Sequence, residues 1–139
     1  MRWARRFGVL TAVGALSASM MTGAATAAPA DQRIGCTGIK FNTGAVCATI
    51  DSTSNQSINS FGGTFFSASP VVRPQLRAEL FDVAGNVAFV ADMSWGNDRT
   101  AEEVKRVLNR SFAIGFSRVC TSLFEAGQIV DTACQPVPS

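Results

Sequence analysis

LRAELFDVAGNVAFVADMSW, residues 76–95, is the stretch on which the fold turns. Leu76, Ala78 and Leu80 alternate with Arg77 and Glu79, and beyond the turn signal DVAGN the residues Val87, Phe89, Ala91, Met93 and Trp95 again occupy every second position. Successive side chains of a strand point to opposite faces, so this spacing predicts two antiparallel strands with one shared apolar face. Gly and Asn in the connection tolerate the backbone that a tight hairpin needs.

Working outward, residues 112–124 read as a long strand, EAGQ as a turn and residues 129–135 as its return. On the other side, residues 34–40 and 45–50 read as two short strands joined across FNTG. DSTSNQSINS, residues 51–60, has no apolar period and reads as a solvated loop. FGGTFF, residues 61–66, is apolar with two glycines, the mark of a bulge or an edge strand, and Pro70 and Pro74 bracket a bend. Residues 98–110 break the alternation. Thr100 and Glu103 have capping-box spacing, and Ala101, Val104, Val107 and Leu108 share a helical face, which predicts one short helix. The sum is a mainly β chain: a small antiparallel sandwich or barrel with one short helix.

The first 30 residues read as a secretory signal peptide. Arg2, Arg5 and Arg6 form a basic start, residues 7–30 carry no charge, and small residues precede cleavage after Ala27 or Ala30. The working chain is then a single domain, residues 31–139. A lipoprotein signal would place a cysteine directly after the apolar run, and Cys36 lies too far on. Stable membrane insertion is not expected. Arg outnumbers Lys ten to two and Ala is abundant, as a GC-rich, actinobacterial genome would produce.

All four cysteines, Cys36, Cys47, Cys120 and Cys134, fall in the domain, and an even count in an exported chain predicts disulfides. Of three connectivities, Cys36 with Cys47 and Cys120 with Cys134 is favoured, because each pair encloses a turn signal between strand-like residues. Zinc would want Cys-x-x-Cys spacing.

Charge and composition exclude whole classes of function. Three of the twelve Lys and Arg lie in the signal, leaving nine against ten Asp and Glu, so no counterion-release term drives nucleic-acid binding. Histidine is absent, which removes the imidazole that Ser-His-Asp and Cys-His hydrolases use to carry a proton. Tyrosine is absent as well. The carboxylates Glu79, Asp82, Asp92, Asp98, Glu102, Glu103 and Glu125 would have to supply any acid and base for glycoside hydrolysis, and none reads as a pair. No catalytic residue, metal ligand set or cofactor motif is assigned. Asp92, Asn97 and Asp98 lack the regular spacing of a calcium loop, and the Asn-x-Ser sequons at Asn55 and Asn109 matter only in a glycosylating host.

Two groups remain as binding candidates. Trp95 with Asn97 and Asp98 would make an aromatic platform beside polar groups, although its parity with Phe89 and Met93 assigns Trp95 to the core. Phe61, Phe65 and Phe66 would make an apolar patch if they did not fill the interior. The expectation is an exported, non-enzymatic domain that binds an extracellular protein or glycan. The alternatives are an inhibitor of an extracellular hydrolase, presenting SASPVVRPQ at residues 67–75, and a small carboxylate glycoside hydrolase.

Overall fold

The structure is a computed structural model describing residues 31–39 and 43–139. Residues 1–30, read above as a signal peptide, and Lys40, Phe41 and Asn42 lie outside the described residues. The chain forms eight strands: β1 (Asp31–Gly38), β2 (Gly44–Ser52), β3 (Ser57–Val71), β4 (Pro74–Asp82), β5 (Val87–Ser94), β6 (Arg99–Ser111), β7 (Phe116–Glu125) and β8 (Gln128–Pro136). They make two antiparallel sheets, sheet A in the order β1-β2-β3-β6 and sheet B in the order β5-β4-β7-β8. The sheets stack as a sandwich, with β1 and β2 over β8, β3 over β4 and β7, and β6 over β4 and β5.

The hairpins form where turn chemistry predicts them. Asp82 Oδ1 accepts hydrogen bonds from the Ala84 and Asn86 amides at 3.0 and 2.9 Å, and Gly85 takes φ +89° to close β4 onto β5. Ala126 and Gly127, at φ +48° and +84°, form the two-residue turn between β7 and β8. Both disulfides join directly opposed residues of neighbouring strands, Cys36 to Cys47 between β1 and β2 and Cys120 to Cys134 between β7 and β8. They are the bridges of a chain that folds in an oxidising environment.

Four readings of the sequence are corrected. The short helix does not form: those residues are the strand β6, which closes the far side of sheet A. As a helix the segment would bury only Ala101, Val104, Val107 and Leu108. As a strand it satisfies the backbone of β3 and turns Val104 and Leu108 inward, so tertiary pairing overrides local propensity. FGGTFF is no edge; it lies in β3, between β2 and β6. The polar stretch 51–60 contributes Asp51 and Ser52 to β2 and Ser57 onward to β3, leaving only Thr53–Gln56 as a connection, and Asn55 and Gln56 carbonyls accept from the Phe116 and Phe112 amides at 2.8 Å each. Finally, the register slips between Leu80 and Phe81, so Val87 pairs with Phe81 and leaves the inner face that Phe89 and Ala91 share.

The interior is wedge-shaped. At its centre, Phe61 and Phe65 of β3 point inward with Gly63 between them, and Thr121 of β7 fills the place left by the missing side chain. A Cβ on Gly63 would sit 2.2 Å from Thr121 Cγ2, and the buried Thr121 hydroxyl donates to the Gly62 carbonyl at 3.0 Å. Toward β1 and β8 the sheets pinch further, where a Cβ on Gly35 would lie 2.5 Å from the Cys134 carbonyl oxygen. Toward β5 and β6 the gap is filled by large rings. Phe89, Phe112 and Phe116 pack with centroids 5.0 to 6.2 Å apart, and the Arg106 and Arg110 guanidinium carbons lie 5.1 and 5.6 Å from the Phe89 centroid, closing the flank.

If Thr121 and Gly63 set the sheet separation, Gly63→Ala should cost about 1–3 kcal/mol by overpacking, and Thr121→Val about 1 kcal/mol by removing the hydrogen bond its hydroxyl donates to the Gly62 carbonyl. Thr121→Ala added to Gly63→Ala should recover part of the loss in urea unfolding, and strict additivity would refute the contact. Ser52 Oγ is buried with no partner among the described residues. Ser52→Ala should therefore leave stability unchanged or raise it by up to about 1 kcal/mol, read from the same unfolding midpoints.

Candidate functional site

The outer face of sheet A is a grid whose rows are fixed by strand register. Gln32, Asp51, Ser60 and Val107 stand side by side across β1, β2, β3 and β6. The next row is Ile34, Thr49, Gly62 and Lys105; then come the bridged Cys36 and Cys47 with Thr64 and Glu103; the last is Gly38, Ala45, Phe66 and Ala101. Every position except Gly62 and Gly38 carries a side chain, and Gly62 lies in the middle. The result is a depression of about 150 Å³ rimmed by Thr49, Asp51, Ser60, Thr64, Glu103 and Lys105, with Gln32 and Ile34 on the β1 side. No side chain can fill it, because a Cβ on Gly62 would run into the Val104 carbonyl oxygen at 2.0 Å.

The chemistry of the rim is mixed. Three hydroxyls, two carboxylates, one ammonium and one carboxamide offer both donors and acceptors. Asp51 is partly positioned by Asn59, whose Nδ2 donates to its Oδ1 at 3.5 Å. Glu103 and Lys105 are exposed and have no ion-pair partner among the described residues. Two apolar groups stand above this polar ground: Ile34 is 59% exposed and Phe66 is 55% exposed, the latter two positions beyond Thr64 along β3. A depression of this size is below the several hundred Å³ of an enclosed cofactor pocket and suits a ligand that lies across the face.

The residues singled out in the sequence are dispersed. Phe61 and Phe65 are in the core, each 1% exposed, whereas Phe66 faces solvent beside the depression. Trp95 is half-buried against the core, its amide donating to the Pro74 carbonyl at 2.9 Å. Asn97 and Asp98 are exposed in the connection to β6, with Asn97 Oδ1 accepting from Arg99 Nε at 3.1 Å. Most of the seven carboxylates have local duties. Glu79 lies 4.0 Å from Arg77, Asp82 caps its turn, Asp92 accepts from Gln75, Glu102 pairs with Arg99 at 2.7 Å, and Glu125 accepts from the Val72 amide at 2.8 Å. Residues 67–75 are not a free loop: they run out along β3, turn at Val72 and Arg73, and enter β4 at Pro74. Among the described residues no group of three or more His, Cys, Asp or Glu is placed to hold a metal.

The sequence reading missed Thr49, Asp51, Ser60, Gly62, Thr64 and Lys105. A signal was present, since Ser60, Gly62, Thr64 and Phe66 alternate with Phe61, Gly63 and Phe65. Comparison with protein families, characterised proteins and solved structures finds no match to this chain.

Trp95 is the sole tryptophan of residues 31–139, so fluorescence reads its site alone. Its native emission should lie between those of a buried and a free indole, be partly quenched by acrylamide, and move red on unfolding. A native spectrum matching indole in water would detach the ring from the core.

Proposed function

We propose that the protein is secreted, by way of the signal peptide at residues 1–30, and acts as a non-catalytic binding module that holds a polysaccharide on the outer face of sheet A. The observation that carries this reading is the depression over Gly62, where hydroxyl, carboxylate, ammonium and carboxamide groups from four strands converge beside the exposed ring of Phe66. Sugar hydroxyls are both donors and acceptors and match such a mixed rim. The C–H face of a pyranose matches the apolar face of an aromatic ring. The four strands hold the rim rigidly, and the Cys36–Cys47 bridge ties the outermost of them to its neighbour. Little conformational entropy is then lost on binding.

Secretion is supported by the uncharged run between the basic start and the first strand, and by two disulfides in the folded domain. The absence of histidine and the separate structural duties of the carboxylates support a role without catalysis.

Protein recovered from the medium of an expressing bacterium should migrate more slowly through gels containing at least one soluble neutral polysaccharide. Phe66→Ala and Asp51→Asn should each weaken that retention roughly tenfold, a loss of about 1.4 kcal/mol, without moving the melting temperature. Free migration through a broad panel of glucans, mannans and galactans, or retention unchanged in both variants, would remove the glycan reading.

A further inference from the structure

β6 is a free edge, thirteen residues long, and the longest of the four sheet edges. The β1 and β8 edges stack on each other and are stapled to their neighbours, and β8 ends at Pro136. The β5 edge is partly covered, since Arg106 Nη1 donates to the Val90 carbonyl at 3.0 Å. An open edge presents unpaired amides and carbonyls and pairs with another strand unless its side chains prevent it.

The side chains of β6 are charged, as in a guarded edge, yet their order is self-complementary. The central run is Ala101-Glu102-Glu103-Val104-Lys105-Arg106-Val107. Reflected about Val104 in an antiparallel pair, Glu103 of one copy stands opposite Lys105 of the other, Glu102 opposite Arg106, and Ala101 opposite Val107. Both members of each pair lie on the same face, because positions related in this way have equal parity. Glu103 and Lys105 project from the outer face and lack an ion-pair partner among the described residues. Val107, 61% exposed, would cover Ala101 of the second copy.

The charges also reject the neighbouring registers. A shift that centres the pair on residue 103 sets Glu103 against Glu103, and one that centres it on residue 105 sets Lys105 against Lys105. Like charges directly opposite are destabilising. A parallel, in-register pair would stack every charge on its own kind. Asn109, at φ +49°, and the register slip beside it bend the strand beyond Val107, which ends the ladder there.

We propose that the chain forms a two-fold dimer through antiparallel β6–β6 pairing centred on Val104, joining the two A sheets into one continuous eight-stranded sheet. The partner is a second copy of this chain, chosen by charge order. The proposal goes beyond polysaccharide binding and does not rest on it: its readout is mass, and Phe66→Ala leaves it untouched.

Sedimentation velocity on the secreted protein tests it with charge swaps. Wild type should sediment as a dimer at high micromolar concentration. Glu103→Lys alone would face Lys105, and Lys105→Glu alone would face Glu103, so each single variant should be monomeric. An equimolar mixture of the two should recover a heterodimer, because every opposed pair is then of opposite charge, and the double variant Glu103→Lys with Lys105→Glu should again form a homodimer. The mixture also controls for folding, since a misfolded variant could not restore the complex. A wild type that stays monomeric at every concentration, single variants that dimerise as wild type does, or a mixture that stays monomeric would each overturn the proposal.

Discussion

The contact between Thr121 and the Gly62–Gly63 pair is the constraint from which the rest of the sandwich follows. Two sheets covered by ordinary side chains stand about 10 Å apart. Here one short side chain spans the gap and hydrogen bonds the opposite backbone at 3.0 Å, so the sheets approach closely at β3 and β7. Phe61 and Phe65 are then held on either side of that contact, and the space widens only toward β5 and β6. There a trio of phenylalanines and the planar ends of two arginines fill the wedge. Arginine suits this position because its face packs on a ring while its edge stays in water.

The same two glycines shape the outside. Gly63 faces inward and admits Thr121; Gly62 faces outward and leaves the floor of the depression bare. The candidate site is thus the outer imprint of an inner packing requirement. A substitution at either glycine cannot be read as a change of binding alone, so the glycan reading is best probed at the rim and at Phe66.

Much of this was legible in the sequence where the cause is local. The β4–β5 hairpin, the β7–β8 turn and both disulfide pairings follow from alternation, from turn residues and from cysteines that bracket them. What was not legible depends on partners distant in the chain. TAEEVKRVL has the composition of a helix and the capping signal of one. Only the need of β3 for a second neighbour makes it a strand, and no local pattern records that need. Phe61 and Phe65 could be separated from Phe66 by parity, but only once FGGTFF was known to be a central strand. The depression was hidden for the same reason. It is assembled from single residues on four strands, and the strand order that gathers them, β1-β2-β3-β6, skips two intervening elements.

The disulfides illustrate how staples serve a surface as well as a core. Each lies on the outer face of its sheet and ties the outermost strand at the narrow side of the wedge, where large apolar side chains cannot contribute because the backbones are too close. Hydrophobic burial is weakest there, and covalent closure of a short loop supplies about 3 kcal/mol in its place. Cys47 is also the neighbour of Thr64 in the row next to Gly62, so the bridge on sheet A borders the depression directly. Fixing β1 against β2 fixes Gln32 and Ile34 against Thr49 and Asp51, and one side of the rim is set before any ligand arrives. The opposite side, formed by Glu103 and Lys105 on β6, has no such bridge. Its rigidity must come from pairing, with β3 on one side and, if the edge is filled as its charges allow, with a second β6 on the other.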